Sequence, residues 1–179
     1  SWTTYTGASF YSTEKIIAFS VEVVKLFSEE AIFMAYQFIG VAKIKLNGLI
    51  GIRRHHQERE RVKSNPNIDL SRSHLNYCIE CLTPDNLNSR VKARIKQLNL
   101  KKRPRSDAVG LMDIVVSASQ DFMLNADAET REQYFADALH FLQSRYGKKN
   151  VMYCHCHLDE SSPHIHVGIV PITPDGRLS

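Results

Sequence analysis

The sequence lacks an apolar run long enough to span a membrane, and it lacks an N-terminal segment of the signal-peptide type. Its most apolar stretch, residues 16–33, is interrupted by four charged side chains and is an amphipathic helix at most. Cysteine is also scarce, with four residues in a chain of 179. A secreted disulfide framework is therefore not expected, and we predict reduced thiols in the cytoplasm.

Positive charge is modest in total but unevenly distributed. The formal net charge is +4, which alone is a weak indication of an anionic partner. Eight Lys or Arg and no acid lie between Arg90 and Arg105. A second basic cluster holds Arg53, Arg54, Arg59, Arg61 and Lys63. Either cluster alone could be a solvated surface, but two of them favour a nucleic-acid partner.

The chain divides into two parts at Met34. Residues 35–45 alternate between apolar and polar side chains like the first strand of a domain. We therefore predict that residues 1–33 are an N-terminal extension and that residues 34–179 are a domain truncated at its C-terminus. On this interpretation the sequence is a piece of something longer.

Strand and helix patterns alternate along the second part of the chain. Helices are predicted at 83–98, where Pro84 stands early, and at 127–146, where Gly147 is the expected stop. Strands are predicted at 35–45, 74–82, 109–117, 151–158 and 164–172. This order predicts an α+β fold, in which helices pack on one face of a mostly antiparallel β-sheet.

Histidines are concentrated in the last two predicted strands. His164 and His166 share one face, because side chains at i and i+2 of a strand point the same way. The turn at 159–163 folds the preceding strand back and brings His157 to the same face. Three imidazoles there would form a metal site with open positions, as catalysis requires. His155 has the same parity as His157, so alternation does not decide between them.

Two other interpretations of these residues stand beside the metal site. A lone histidine in a strand is usually a packed or solvated residue, and only the pair with a third histidine nearby makes ligation the better interpretation. The cysteines could bind structural zinc, with Cys78 and Cys81 as one pair and Cys154 and Cys156 as the other. The second pair faces away from His157, however, and we interpret it as small buried apolar residues.

Several segments together resemble one protein family. Residues 157–166, HLDESSPHIH, resemble the metal motif of the Mob/Pre (plasmid recombination enzyme) family, which is a MOBV-type relaxase family of the HUH endonuclease superfamily. Residues 51–59 and 71–77 are similar to its first and second motifs, and residues 105–109 resemble the lead into a family strand. The chain departs from the family where Leu70 follows Asp69 and where Met112-Asp113-Ile114 replaces an acidic-aromatic stretch.

This resemblance implies a bacterial plasmid mobilisation relaxase, whose catalytic domain is residues 34–179. Such enzymes nick one strand of DNA at a plasmid transfer origin, in single-stranded or hairpin form, and stay joined to the 5′ phosphate. The family uses a histidine nucleophile, and the matching residue is His56, with His55 as the adjacent competitor. The implied cofactor is a divalent metal, Mn or Mg, held by His157, His164 and His166.

The resemblance also assigns supporting residues. Glu160 would orient a histidine or handle a proton. The aromatic rings of Tyr77 and Tyr146 would contact DNA bases, while Arg72 and Asn76 would contact phosphate or sugar. The basic run from residue 90 to residue 105 would follow the DNA backbone and make binding salt-dependent.

Two other functions stay open. A related HUH endonuclease of replication or transposition would need a tyrosine nucleophile on a helix, for which Tyr134 and Tyr146 are the candidates. A non-catalytic DNA- or metal-binding fragment is the other alternative. A homodimer is expected only through a C-terminal region that this chain does not include.

Overall fold

Five strands form one antiparallel sheet in the computed structural model, which describes residues 36–53, 67–80, 87–173 and 175–178. The strands are β1 (Gln37–Lys45), β2 (Tyr77–Glu80), β3 (Val109–Ala118), β4 (Val151–His157) and β5 (His164–Ile169). Their spatial order is β1-β3-β5-β4-β2, so β5 is central and β1 and β2 are the edges. The predicted α+β fold with an antiparallel sheet is confirmed.

The helices lie between the strands in sequence. The α-helices of the described ranges are α1 (Leu49–Arg53), α2 (Leu87–Lys96), α3 (Gln120–Asn125) and α4 (Ala128–Tyr146). Short 3-10 helices span Leu46–Gly48, Leu70–Leu75 and Lys148–Asn150. None of the described helices is both long enough and apolar enough to cross a membrane.

Helix α4 has defined signals at both ends, as predicted. The Asp127 carboxylate accepts a hydrogen bond from the backbone N–H of Thr130 at 2.7 Å, which satisfies one of the unpaired donors of the first turn. Gly147 ends the helix with a φ of 88°, a conformation that favours glycine. The buried stripe of the helix consists of Tyr134, Phe135, Ala138, Leu139 and Leu142.

The sheet face under α4 is apolar. Ile165 and Val167 of β5 are fully buried, as are their partners Cys156 and Cys154 of β4. The Tyr134 hydroxyl donates to the backbone carbonyl of Ser117 at 2.9 Å and fixes α4 to β3. Burying these side chains stabilises the fold by roughly 1.5–3 kcal/mol per large aliphatic residue.

Helices α1 and α2 pack at a different place from α4. Val91 and Ile95 of α2 are buried with Leu49 of α1 and with Tyr153 of β4 in one core cluster. Tyr153 alternates in phase with His155, whose ring is 5.3 Å away, so this cluster reaches the sheet face opposite α4. The expectation that the helices pack on one face of the sheet is therefore wrong for α1 and α2, because hydrophobic periodicity within a helix does not predict which face of the sheet the helix covers.

The structure differs from the sequence prediction in several short segments, one of which is helix α1, which was not predicted. Residues 70–75 form a 3-10 helix where a loop and the start of a strand were predicted, so β2 begins only at Tyr77. The Asp69 carboxylate starts this helix by accepting from the backbone N–H of Ser71 at 3.0 Å. Helix α3 was not predicted, because six residues are too few to show a periodic pattern.

Some predictions lie outside the described residues. All described residues belong to one unit, Ala35–Ser179. The predicted extension 1–33, the segment with His55 and His56, and the predicted start of α2 at residues 83–85 are not described. These assignments stay predictions.

Candidate metal centre

Three histidines converge at one end of the β4–β5 pair. The candidate ligand atoms of His157, His164 and His166 all lie within 4.8 Å of one another. Their ring centroids are separated by 4.9, 5.0 and 5.2 Å. His157 is 1% exposed, His166 7% and His164 9%, so all three rings are buried. In the part of the chain that the structure describes, this is the only group of three such side chains that could hold a metal.

Strand register explains the convergence. His157 is directly opposite His164, and His155 is opposite His166. Because opposed residues of antiparallel strands point to the same face, all four imidazoles lie on the face away from α4. The pair His157–His164 lies next to the tight turn 158–163, and the pair His155–His166 is one step further along the two strands. Of the two histidines that share this parity, His157 and not His155 is grouped with His164 and His166.

Asp113 of β3 orients His166. The Nδ1 atom of His166 is 2.8 Å from Oδ2 of Asp113, which is 5% exposed. An ionised carboxylate can only accept a hydrogen bond, so Nδ1 of His166 is the donor. The lone pair of Nε2 is then available to a metal, in the carboxylate–histidine arrangement that commonly supports ligating histidines.

The other two histidines have partners of their own. Nδ1 of His164 is 2.8 Å from the backbone carbonyl of Ser162, which again makes Nδ1 the donor and Nε2 the free ligand position. Nδ1 of His157 is 3.9 Å from Oε1 of Glu160, too long for a hydrogen bond but close enough for attraction to a protonated ring. Glu160 therefore lies beside the triad, and its role stays a prediction.

Tyr153 anchors Asp113 from the other side. Its hydroxyl donates to Oδ1 of Asp113 at 2.9 Å, so both carboxylate oxygens are engaged. Burial raises the pKa of Tyr153 well above its usual value, and the Asp113 charge adds to this, so the phenol stays protonated. The ring crosses β5 at Gly168, where an added Cβ would be 2.2 Å from Cε1 of Tyr153. Only glycine leaves room for this contact.

His155 lies beside the triad without joining it. It is partly exposed, with its ring against that of Tyr153. Burial lowers the pKa of His155 to about 4, and the nearby His166 acts in the same direction. The imidazole is therefore neutral near pH 7 and adds no positive charge next to the candidate metal position.

The turn between the two histidine strands is fixed by side chains from distant parts of the chain. Asp159 is fully buried, and its carboxylate accepts from the Ser73 hydroxyl at 2.6 Å. The backbone carbonyl of Asp159 accepts from the N–H of Asp69 at 2.7 Å. On the opposite side, the Ser117 hydroxyl donates to the carbonyl of Pro163 at 2.7 Å. This support holds the histidines in place before any ligand binds.

The donor set fits a divalent ion. Nitrogens bonded to a common ion at about 2.0–2.1 Å lie within roughly 4.2 Å of one another, a spacing compatible with candidate ligand atoms that all lie within 4.8 Å. Three neutral nitrogens on one side of an ion leave its other positions to water or to oxygen atoms of a substrate. Imidazole ligands suit Zn, Fe, Ni and Mn, and oxygen ligands in the open positions favour Mn or Mg.

The other predicted site residues are placed differently. Asn76 and Arg72 lie on or next to the 3-10 helix that supports the turn, and the Asn76 side-chain oxygen accepts from the Leu158 N–H at 2.7 Å. Tyr77 is paired with Cys156 and so lies on the opposite face from the triad, where burial raises its pKa. Tyr146 is the last residue of α4 and precedes β4. His157 of the triad is the last residue of β4, so Tyr146 is remote from the triad.

Sequence reasoning missed three supporting residues. Asp113 is the single acid in an otherwise apolar strand, which is a usable signal of a buried functional carboxylate. Ser73 and Tyr153 carry no comparable signal, because their roles depend on contacts with residues 86 and 40 positions away.

The cysteines form no second metal cluster among the described residues. Cys154 and Cys156 are fully buried under α4, as predicted, and neither forms a disulfide. Burial raises the pKa of Cys156 to about 12, which disfavours the thiolate that a metal requires. Cys81 lies outside the described residues.

Comparison of the fold identifies its class as that of a relaxase domain. A crystal structure of the MobM relaxase domain superposes with a TM-score of 0.74 and 31% sequence identity, over 80% of this chain and 74% of that one. It is Mn-bound and holds a 22-nucleotide DNA of the plasmid pMV158 oriT with a 3′ thiophosphate. A second MobM structure, with Mn and a 22-nucleotide oriT DNA, gives a TM-score of 0.71 at 33% identity, with the same coverage.

Comparison of the sequence identifies the family. The family model described as plasmid recombination enzyme matches residues 34–179, and the chain belongs to this family. The plasmid recombination enzyme of Bacillus thuringiensis is 38% identical over 144 residues, which is 80% of this chain and 32% of the relative. Plasmid recombination enzyme type 3 of Staphylococcus aureus is 38% identical over 148 residues, or 82% and 36%. The chain thus spans about a third of the length of these relatives.

Proposed function

We propose that this chain carries the catalytic centre of a plasmid relaxase, which nicks one DNA strand at a transfer origin with the help of a divalent metal. The observation that carries the proposal is the histidine triad, which is preoriented by Asp113 and opens onto one face of the sheet. Family membership and the DNA-bound state of the similar MobM domain support the choice of substrate.

We further propose that the metal is Mn or Mg and that His157, His164 and His166 hold it. When bound, the ion neutralises charge on the scissile phosphate and on the transition state. Asp113 and the carbonyl of Ser162 engage Nδ1 of His166 and of His164, which leaves Nε2 of these two rings available to the ion. The Mn-bound state of the MobM structures supports this assignment.

The proposed nucleophile is the imidazole of His56, with His55 as its competitor. A neutral ring nitrogen attacks the scissile phosphorus, the bond from phosphorus to the 3′ oxygen breaks, and a phosphoramidate joins the protein to the 5′ side. The leaving 3′ oxygen gains a proton and the attacking imidazole loses one. Glu160, which is 13% exposed beside His157, is our candidate for handling a proton or orienting the ring.

The proposed partner is plasmid origin DNA in single-stranded or hairpin form. Arg72 and Asn76 are the best placed of the predicted contacts, because their segment supports the turn of the triad. Base contacts by Tyr77 and Tyr146 stay predictions, as does the homodimer. Oxygen atoms of phosphate and sugar are natural partners for the Arg72 guanidinium.

A covalent adduct assay tests the proposal. Supercoiled plasmid with a cognate origin is incubated with the protein and Mn, and protein–DNA adducts are separated under denaturing conditions. The proposal predicts an acid-labile adduct, as expected for a phosphoramidate, that is lost in His56→Ala and retained in His140→Ala, the control on an exposed position of α4. An adduct that survives His56→Ala but disappears with Tyr134→Phe or Tyr146→Phe would instead indicate the tyrosine-dependent class. Metal binding without any adduct would indicate a non-catalytic fragment.

A further inference from the structure

A basic groove lies between helix α2 and the 3-10 helix that precedes β4. It has a volume of about 460 Å³ and is lined on the α2 side by Arg90, Ala93, Arg94 and Gln97 and on the other side by Lys149 and Met152. Three cations thus face one groove from elements more than 50 positions apart in sequence. The basic run 90–105 was assigned to DNA binding from the sequence, but the sequence did not predict that Lys149 lies in the same groove as two of its arginines.

Arg94 of the groove is held in place by two side chains. Nε of Arg94 donates to the side-chain oxygen of Asn150 at 2.7 Å, and its Nη1 donates to that of Gln97 at 3.1 Å. Both acceptors are uncharged, so the positive charge of Arg94 is not neutralised by them. Partial burial lowers the pKa of Arg90, an effect that the nearby Glu80 opposes.

Arg105, at the end of the same basic run, differs from these arginines because a carboxylate pairs with it. Arg105 pairs with Asp107 at 3.0 Å, and both side chains are largely exposed. Among the described residues, no carboxylate lies within 4 Å of the charged nitrogens of Arg90, Arg94 or Lys149. The groove is therefore a local excess of positive charge with donors already arranged, which suits an oxygen-rich anion such as a phosphate diester.

The groove is separate from the histidine triad. Met152 lines the groove, and His157 is five residues further along β4, which corresponds to roughly 17 Å at a rise of 3.3 Å per residue. A single phosphate cannot touch both places. A DNA strand can, because one backbone phosphate follows another every 3.4 Å or so of duplex axis.

We infer that this groove is a second DNA subsite, in which Arg90, Arg94 and Lys149 bind a backbone phosphate away from the nicking centre. The inference rests on the proposed function, because it takes DNA as the ligand. It assigns the groove to binding and not to chemistry. Its contribution is independent of DNA sequence, since only the backbone is contacted.

Binding of a homopolymer tests the inference without requiring a known origin. Fluorescence anisotropy measures the affinity of the full chain, with Mn, for a labelled 20-nucleotide oligo-dT between about 50 and 200 mM salt. The variants are Lys149→Gln and Arg90→Gln. Lys43→Gln on the edge strand β1 is the matched control, because it removes one exposed charge at the other side of the sheet. Thermal unfolding verifies that each variant is folded.

Each groove variant should lower the slope of log affinity against log salt by about 0.7, the value for one contact to a single strand. At about 0.1 M salt this corresponds to about a fivefold loss of affinity, and Lys43→Gln should lose less than about twofold. Because Lys149 is exposed, Lys149→Gln decides the question if Arg90→Gln does not fold. Equal losses in groove and control variants, or a wild-type chain that does not bind the oligonucleotide, would overturn the inference. If the groove variants bind the oligonucleotide with unchanged affinity while the wild-type chain forms the adduct at the origin, the inference about the groove is overturned and the proposed function stands.

Discussion

The Tyr153 hydroxyl donates to one oxygen of Asp113 at 2.9 Å, while the other oxygen of that carboxylate lies 2.8 Å from Nδ1 of His166. The phenol thus fixes the carboxylate, and the carboxylate fixes the tautomer and the orientation of the histidine. These two hydrogen bonds link the interior of the sheet to the candidate metal position. Its members come from β4, β3 and β5, three neighbouring strands.

Asp113→Asn should weaken Mn binding. An amide carries no charge and can itself donate to Nδ1, which favours the tautomer whose Nε2 is protonated and cannot bind metal. We expect a loss of metal affinity of about 10- to 100-fold, the usual range for such a supporting carboxylate. Isothermal titration with Mn measures it, and Asp107→Asn, an exposed acid on a loop, is the control. Unchanged affinity in Asp113→Asn would show that the carboxylate does not support ligation.

Gly168→Ala should destabilise the fold through Tyr153. The added methyl group would overlap the aromatic ring, which must move and thereby lose its hydrogen bond to Asp113. The expected cost is about 1–3 kcal/mol of the free energy of unfolding, as for other overpacked cores. Chemical denaturation measures this cost.

Gly51→Ala is the matched control for that substitution. Gly51 is part of helix α1, and outside that helix no atom of the described residues lies within 4 Å of a Cβ placed there. Alanine there should be neutral or slightly stabilising, because it favours a helix more than glycine does. Equal stabilities of the two variants would contradict the proposed clash at Gly168.

The antiparallel sheet and the shared face of His164 and His166 could be predicted from sequence, because both depend on local alternation, whereas the order of the strands in the sheet could not. His164 and His166 are two residues apart in one strand, and the short turn makes β4 an antiparallel neighbour of that strand. The register that selects His157 over His155 depends on where the turn begins. Two-residue periodicity carries no information on that point.

Contacts between distant segments could not be predicted in the same way. Ser73 and Asp159 meet across 86 positions, and Lys149 shares a groove with the arginines of α2 because the 3-10 helix before β4 lies next to that helix, where Asn150 accepts from Arg94. No periodic pattern encodes such meetings, which follow from the packing of the whole domain. Asn76 is an example. It was predicted from sequence only as a DNA contact, but its side chain also supports the turn by accepting from the Leu158 N–H.

Asn76→Ala and Arg72→Ala should therefore have different effects. Loss of the Asn76 oxygen leaves the Leu158 N–H without this acceptor, so we expect a cost of about 1–3 kcal/mol in stability and weaker DNA binding. Arg72→Ala should weaken DNA binding with little change in stability. Chemical denaturation and anisotropy with origin DNA separate the two effects. If Asn76→Ala is as stable as the wild type, the side chain does not support the turn.

The account depends above all on the histidine triad as a single divalent-metal site, and calorimetric titration of Mn into the metal-free chain near pH 7 tests this claim most directly. We predict one ion bound per chain, and loss of binding in each of His157→Ala, His164→Ala and His166→Ala. His140→Ala, on an exposed position of α4, should bind Mn like the wild type. A wild-type chain that binds no Mn, or variants of the triad that bind it with unchanged affinity, would contradict the account.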